Sequence, residues 1–148
     1  MQKILIILFL VFGSSHVFSK EKNYFLSLKK DKVYVRYGPG KNYPIKYIYK
    51  KKFLPVRVID KKDNFRRIID HKKNSGWVHS IMLTKSKSLI TTSEKILFRK
   101  PTMYSKPLVK LDSGRLLIIK KCNEDWCNVK SGQYSGWIDK KNIWGIIE

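Results

Sequence analysis

The sequence contains few of the residues that most catalytic and metal sites need. Its 148 residues include two cysteines, three histidines and eleven acidic side chains. Two cysteines offer too few ligands for a structural zinc site, and the dispersed carboxylates suggest no glycosidase pair. The motifs His-Glu-x-x-His and Gly-x-Ser-x-Gly are absent. We therefore predict a protein that is not an enzyme, with no catalytic residues, no metal site and no cofactor.

Long hydrophobic runs are also scarce, and the longest lies at the amino terminus. Ile4–Phe12 is a stretch of nine apolar residues, preceded by Lys3 and followed by small residues. With a cut after Ser19, this is the pattern of a secretory signal peptide. A membrane-spanning helix needs roughly 20 apolar residues. We predict a signal peptide over residues 1–19, a periplasmic or secreted protein and no membrane span after cleavage; the alternative is an uncleaved interfacial helix.

Acidic residues are outnumbered by basic ones, 11 against 32, which gives a net charge of +21 at pH 7. Residues 20–88 carry 20 basic and 5 acidic side chains, against 11 and 6 in residues 89–148. A strongly basic exported protein favours anionic partners such as cell-wall polymers. Nucleic acid is not expected as a partner, because no aromatic-interleaved recognition motif is present. The alternative is that many lysines only solvate the surface.

The rest of the chain has no helical periodicity over eleven or more residues, and its short apolar segments are typical of strands. Clusters of Gly, Pro, Asn and Asp separate most of these segments. Single helical turns are expected only near Ser80–Leu83 and Lys140–Ile143. We predict an all-β chain, with its first strands at Tyr24–Leu28, Lys32–Arg36, Ile45–Tyr49, Leu54–Asp60, Phe65–Asp70 and Ser75–His79.

An internal repeat divides these strands into two groups. Ser75–Val78 and Ser135–Ile138 both place Ser-Gly-Trp before a β-branched residue. Upstream, Val33–Arg36 aligns with Ile96–Arg99, each followed by a turn that contains proline. The spacing from arginine to tryptophan is 41 residues in the first repeat and 38 in the second. Matches in the same order on both sides indicate one architecture used twice.

Each repeat has the length of a small barrel made from one bent, five-stranded sheet. We expect two tandem barrels, at residues 25–84 and 89–147, that are joined by a short polar linker and touch each other. Cores this small need large side chains, which assigns Trp77, Trp126 and Trp137 to the interior. The glycine before Trp77 and before Trp137 would let another backbone approach the strand.

The two cysteines lie in a segment that reads as a hairpin. Asn-Glu-Asp separates two strand-like runs, with Cys122 near the end of one and Cys127 near the start of the other. In a hairpin with a four-residue connection these side chains face each other at bridging distance. Export permits oxidation. We predict a disulfide between Cys122 and Cys127.

The sequence resembles the bacterial Src-homology-3 (SH3) family over roughly residues 25–147. Residues 33–44 read VYVRYGPGKNYP and residues 75–78 read SGWV, which is similar to the Val-Arg-x-Gly-Pro and Gly-Trp-Val signature of that family. The second repeat departs from it, because Arg99-Lys100-Pro101 lacks the Gly-Pro-Gly turn. The resemblance implies SH3-like barrels and small exported two-repeat proteins of Gram-negative bacteria. It also implies binding to the cell envelope, often to the peptide or glycan of peptidoglycan.

Candidate ligand-binding residues cluster around the first proline-containing loop. Tyr37, Tyr43 and Tyr47 combine flat apolar contact with a hydroxyl group, which suits sugars and extended peptides. Arg36 can bind a carboxylate or phosphate with two hydrogen bonds. The alternatives are that Arg36 holds loop carbonyls and that the tyrosines clamp the loop.

We therefore expect a non-catalytic module that docks on peptidoglycan or another envelope component through its first barrel. The alternative function is a protein–protein interaction module that binds an extended peptide of an envelope protein.

Overall fold

The computed structural model describes residues 23–146 as two seven-stranded antiparallel sheets. The predicted signal peptide, residues 1–19, lies outside the described residues. Within them the chain is almost entirely strand and turn, with one short 3-10 helix. The predicted all-β tandem architecture is confirmed.

The first sheet has the strand order β3-β2-β6-β5-β4-β1-β7. A 3-10 helix, Ser80–Met82, connects the sixth and seventh strands and confirms the first predicted helical turn. The strands are β1 (Tyr24–Leu28), β2 (Val33–Arg36), β3 (Ile45–Tyr49), β4 (Pro55–Lys62), β5 (Phe65–Ile69), β6 (Ser75–His79) and β7 (Leu83–Lys85).

The second sheet has the equivalent order, β10-β9-β13-β12-β11-β8-β14. Its strands are β8 (Ser88–Thr91), β9 (Lys95–Phe98), β10 (Pro107–Leu111), β11 (Leu116–Cys122), β12 (Trp126–Ser131), β13 (Tyr134–Asp139) and β14 (Ile143–Trp144). The helical turn predicted at Lys140–Ile143 is wrong. Asn142 has a φ of 52°, a left-handed conformation that interrupts a right-handed turn, and β14 begins directly after it.

Each sheet has seven strands, whereas the expected barrel has five. In the first sheet, β1 coincides with the predicted strand Tyr24–Leu28, and β7 was not predicted; the two strands lie side by side at one edge. The predicted linker, residues 84–88, is mostly strand, because β7 extends to Lys85 and β8 begins at Ser88. The last strand of the first sheet therefore ends only two residues before the first strand of the second sheet begins.

Small and branched side chains fill the barrel interiors. Val33, Val35, Ile68 and Val78 are fully buried in the first core. In the second core, Leu117, Val129 and Ile138 are fully buried. Each fully buried side chain of this size contributes about 1.5–3 kcal/mol relative to exposure.

The predicted tryptophan core needs correction. Trp77 lies between the buried residues Gly76 and Val78, and Trp137 lies between Gly136 and Ile138. Because neighbouring residues of a strand point to opposite faces, both indole rings lie on the outer face of their sheet. Trp126 likewise precedes the fully buried Cys127. All three tryptophans are partly buried outside the buried core clusters.

The glycine before each outward tryptophan does permit a close approach of two strands. A Cβ at Gly76 would lie 3.0 Å from the Arg36 carbonyl oxygen, and one at Gly136 would lie 2.6 Å from the Phe98 carbonyl oxygen. Since Gly76 and Gly136 occupy equivalent positions, Arg36 is equivalent to Phe98. Pairing agrees, because Arg36 is opposite Trp77 and Phe98 is opposite Trp137.

The alignment of Val33–Arg36 with Ile96–Arg99 is therefore displaced by one residue. The structural equivalent is Lys95–Phe98, which has the same alternation of buried and exposed positions over its first three residues. Lys95–Phe98 and Ile96–Arg99 share residues 96–98 and differ only at their ends, so either register satisfies the sequence pattern. Only the neighbouring strand selects one of them.

The predicted disulfide between Cys122 and Cys127 is confirmed. The two residues are directly opposite each other in the β11–β12 hairpin. Asn123 stabilises the tip, because its Oδ1 accepts hydrogen bonds from the backbone N–H groups of Asp125 and Trp126 at 3.1 and 2.7 Å.

The two barrels contact each other, as expected. Trp144 of the second sheet donates a hydrogen bond from Nε1 to the Pro55 carbonyl oxygen at 3.0 Å, and its ring packs edge-on against Phe25 at 5.1 Å. The hydroxyl oxygens of Ser27 and Ser88 are 3.2 Å apart. Ile90 belongs to the core cluster of the first barrel, so the two cores are continuous at this contact.

Candidate binding site on the first barrel

A row of three large side chains crosses the outer face of the first sheet. Arg36 of β2 is opposite Trp77 of β6, and Trp77 is opposite Arg67 of β5. Directly paired residues on antiparallel strands have their Cβ atoms about 5 Å apart. The tryptophan therefore has an arginine on each side, and we call these three residues the arginine–tryptophan row.

The row borders an open cavity of about 290 Å³. A volume near 300 Å³ is at the lower limit of small-molecule sites and accommodates a single ring-sized group. Three of the lining residues carry a positive charge and two are aromatic. The lining consists of Arg36, Tyr37, Lys46, Arg67, Ser75, Gly76 and Trp77.

The cations of the cavity differ in how firmly they are held. Arg36 Nη1 donates to the Tyr43 carbonyl oxygen at 2.8 Å, which leaves its other N–H donors available. Lys46 Nζ donates to the Ser75 carbonyl oxygen at 2.9 Å and lies 5.6 Å from the Tyr37 ring centroid. Arg67 is exposed and, within residues 23–146, its guanidinium has no hydrogen bond or ion pair. The cavity thus presents one free and two anchored cations.

The structure brings together two of the four predicted ligand-binding residues. Arg36 and Tyr37 both line the cavity, and Tyr37 is 62% exposed. Tyr43 packs its ring over Gly38 and Gly40, where a Cβ would overlap it or approach it closely. It contributes its carbonyl oxygen to Arg36 and clamps the loop, which is the alternative role described above.

Tyr47 lies away from the cavity. Its hydroxyl is 3.3 Å from that of Tyr49, which in turn donates to Asp70 Oδ2 at 2.9 Å. Tyr47 packs against the core, and burial raises the pKa of its hydroxyl. Tyr47 is therefore part of the internal support of the barrel.

A second, more apolar cavity of about 290 Å³ shares Arg36 with the first. Phe65 and His79 pack edge-on in its wall at 5.1 Å, and Ile81 is 64% exposed. Tyr34, Lys41 and Met82 complete the lining. Arg36 thus stands between a cationic and an apolar depression on one face of the barrel.

The family of the chain follows from a comparison with protein-family models. The bacterial SH3 domain matches twice, over residues 29–85 and 92–145, which together are more than half of the chain. The chain belongs to the bacterial SH3 domain family. We call the units that contain the first and second sheets the first and second SH3 repeats.

Solved structures provide a second comparison. The chain is similar to NlpC2 from Trichomonas vaginalis, with 13% identity and a TM-score of 0.39, and to NlpC1 from the same organism, with 12% and 0.37. Both alignments cover 84% of this chain, but 49% and 46% of the other chains, so it spans about half their length. A search of curated proteins found no match.

The equivalent row of the second SH3 repeat has lost its arginines. Phe98 is opposite Trp137, and Trp137 is opposite Asn128. Lys121 lies across from Asn128 in the next strand and places its Nζ 5.6 Å from the Trp137 ring centroid. The second row is therefore apolar or neutral, and a cation covers its tryptophan.

The second SH3 repeat has a larger cavity, of about 620 Å³, at its own hairpin tip. Its lining mixes both signs of charge with two apolar side chains: Met103, Glu124, Asp125, Trp126, Asp139, Lys140 and Lys141. Asp139 is paired with the buried Lys95 at 2.6 Å. Burial alone would raise the pKa of Asp139, but hydrogen bonds from Lys95 and from the Lys141 backbone lower it overall.

Sequence reasoning missed three members of the cationic cavity: Lys46, Arg67 and Trp77. The signal for Trp77 was available, since strict alternation with Gly76 and Val78 inward directs the indole outward. Arg67 and Lys46 become neighbours of Arg36 only through strand pairing. Within the described residues, no cluster of three or more His, Cys, Asp or Glu side chains could bind a metal ion. No helix in this part of the chain is long and apolar enough to span a membrane.

Proposed function

We propose that this protein is an exported, non-catalytic module that binds an anionic component of the bacterial cell envelope through its first SH3 repeat. The observation that carries the proposal is the cationic cavity beside the arginine–tryptophan row. Bacterial SH3 domains are often cell-wall-binding modules. Export is supported by the signal-peptide pattern of residues 1–19, and the net charge of +21 favours an anionic partner.

Peptidoglycan is the leading ligand because its stem peptides carry carboxylates. Arg36 and Arg67 can each form paired hydrogen bonds with a carboxylate, and Lys46 adds a third positive charge. Partly exposed cations attract such a ligand over about a Debye length, so binding is expected to weaken as salt rises.

The lining of the cationic cavity is typical of recognition and not of catalysis. Arginine, lysine, tyrosine and tryptophan offer hydrogen bonds and stacking surfaces, but no carboxylate or histidine lines this cavity. Histidine and carboxylates are the groups that most often move a proton in hydrolases at neutral pH. The proposal therefore assigns binding alone to the first repeat.

Retention on purified peptidoglycan sacculi tests this proposal. The mature protein should be retained at low salt and released in part at moderate salt. Arg67→Gln should lower retention several-fold. Lys121→Gln is the matched control, because it removes one exposed charge from the equivalent face of the second repeat, and it should leave retention unchanged. Absence of wild-type retention at both salt concentrations would exclude the cell-wall ligand.

The apolar cavity next to Arg36 supports a second candidate function, the binding of an extended peptide of an envelope protein. Ile81, Phe65 and Met82 offer apolar contacts to such a peptide. Arg36, in the same lining, can bind an acidic residue of the peptide. A photo-crosslinker at position 81 should then form protein adducts in cells that survive digestion of the wall. Adducts that disappear with the wall would favour peptidoglycan instead.

A further inference from the structure

Trp77 and Trp137, the outward-facing tryptophans of the two repeats, differ in what surrounds their rings. In the second repeat, Lys121 lies over the face of Trp137. In the first, no cation or aromatic ring of residues 23–146 stacks on Trp77, and the paired neighbours on both sides are arginines. Trp77 is therefore partly exposed, and its ring lies at the wall of the cationic cavity without a stacked partner among the described residues.

The strand that carries Trp77 cannot bind a peptide by adding a further strand. β6 lies between β2 and β5 and pairs with both, so its backbone groups are used within the sheet. Strand addition requires a free sheet edge. A ligand that contacts Trp77 is therefore recognised at this strand by side chains.

Those side chains define a ligand with two chemical parts. The face of an indole ring carries partial negative charge and attracts the weakly positive C–H groups of a sugar ring. Arg36 and Arg67 border the same ring and match carboxylate or phosphate groups. The volume of about 290 Å³ suits one sugar unit with its substituent.

Building on the proposed function, we propose that the first SH3 repeat recognises a sugar unit that carries an anionic group. The sugar ring stacks on Trp77, and its carboxylate or phosphate binds between the guanidinium groups of Arg36 and Arg67. Lys46 contributes a further positive charge, and the exposed Tyr37 hydroxyl lies at the rim to meet a sugar hydroxyl. The second repeat lacks this site because Phe98 and Asn128 replace the two arginines.

Nuclear magnetic resonance can observe this site directly, because each of the four tryptophans has its own indole N–H signal. The mature protein is titrated with tetragalacturonate, glucose 6-phosphate, neutral maltotetraose and tetraglutamate. The Trp77 signal should shift saturably with an anionic sugar and not with maltotetraose, while the Trp137 signal stays in place. The galacturonate and phosphate arms identify which anionic group is preferred.

Matched variants separate stacking from charge. Arg67→Gln should weaken binding of the preferred anionic sugar about tenfold, the effect of losing one charge-assisted hydrogen bond. Trp77→Leu should weaken it by a similar factor while preserving apolar bulk. Lys121→Gln should have no effect. Circular dichroism verifies that each variant is folded.

Several results would overturn the inference. These are an equal response to maltotetraose, a preference for tetraglutamate, or anionic sugar binding that is unchanged in Trp77→Leu. The proposed function is tested separately by the sacculi. Retention on sacculi without a Trp77 response would leave the wall-binding function and exclude the sugar site. A Trp77 response without retention would support the sugar site and exclude peptidoglycan as the ligand.

Discussion

The two SH3 repeats share a strand order and a pattern of inward residues, but their outer faces differ in charge. Arg36 and Arg67 in the first repeat correspond to Phe98 and Asn128 in the second, since each pair has the same strand partners. The tryptophan between them is present in both. In the first repeat, the row therefore places two cations beside the partly exposed ring of Trp77. In the second repeat, Lys121 covers the ring of Trp137.

The comparison shows how little the outer face contributes to the fold. Inward positions must fill a small interior, and most of them carry valine, isoleucine or leucine in both repeats. Outward positions of the same strands have no such constraint. A barrel can therefore carry either arginine or phenylalanine at an outward position of this row and keep its topology. Its binding properties can differ while the scaffold stays the same.

The turn between the fifth and sixth strands of each repeat provides the largest expected difference in stability. Asp70 is 3% exposed, and its carboxylate accepts hydrogen bonds from the Tyr49 hydroxyl, from the backbone of Lys72 and from the backbone and side chain of Asn74. Asp70→Ala should lower the free energy of unfolding by about 3 kcal/mol, because four hydrogen bonds to one buried carboxylate are lost. Urea denaturation measures the change.

Ser131 is the matched control for Asp70, because it occupies the equivalent position at the end of the fifth strand of its repeat and is 5% exposed. Its hydroxyl accepts one hydrogen bond, from Arg115 Nε at 3.3 Å. Ser131→Ala should cost about 1 kcal/mol or less. Equal losses in the two variants would show that the carboxylate network does not distinguish the repeats.

The disulfide gives the next largest difference. Cys122 and Cys127 are bridged, whereas the equivalent residues of the first repeat, Lys61 and Arg66, are not cysteines. Replacing both cysteines by serine should lower the free energy of unfolding by about 2 kcal/mol, the chain-entropy value for so short a loop. Exported protein should be two hydrogens lighter by mass spectrometry than its reduced form. Free thiols there would contradict the bridge in the cell.

The smallest expected difference between the repeats is in how their stability depends on acidic pH. Because the folded-state pKa of Asp139 lies below its ordinary value of 3.8, ionised Asp139 stabilises the protein above that pH. This contribution is lost as the pH falls through the lowered folded-state pKa. Asp139 is partly exposed, so solvent limits the effect to less than about 1 kcal/mol.

Wild type and Asp139→Asn, compared by urea denaturation at pH 6 and pH 3, test the acid effect. The wild type should be the more stable at pH 6, and the gap between the two should narrow at pH 3. A gap that stays constant would assign the loss in the variant to packing. The first repeat has no equivalent pair, because Val33 and His79 occupy the positions of Lys95 and Asp139.

Much of the fold could be predicted because local chemistry repeats along the chain. Gly-Trp segments, turn residues and alternating apolar residues located the principal strands, and the spacing of Cys122 and Cys127 predicted their bridge. Arg36 and Tyr37 were found from the loop that they flank. The predicted inward orientation of Trp77 was wrong, because residue size was given more weight than the alternation of inward and outward residues along a strand. This alternation is visible in the sequence of Ser75–His79.

The sequence by itself determined the all-β class, the tandem repeat, the disulfide and the excess of positive charge in the first half, because each depends on residue type and spacing alone. Tertiary structure decided the register of the repeats and the neighbours of Trp77. Strand pairing joins residues 10 and 41 positions apart, such as Trp77 with Arg67 and Arg36, and nothing in either segment specifies its partner. The arginine–tryptophan row exists only because three separate strands meet in one order.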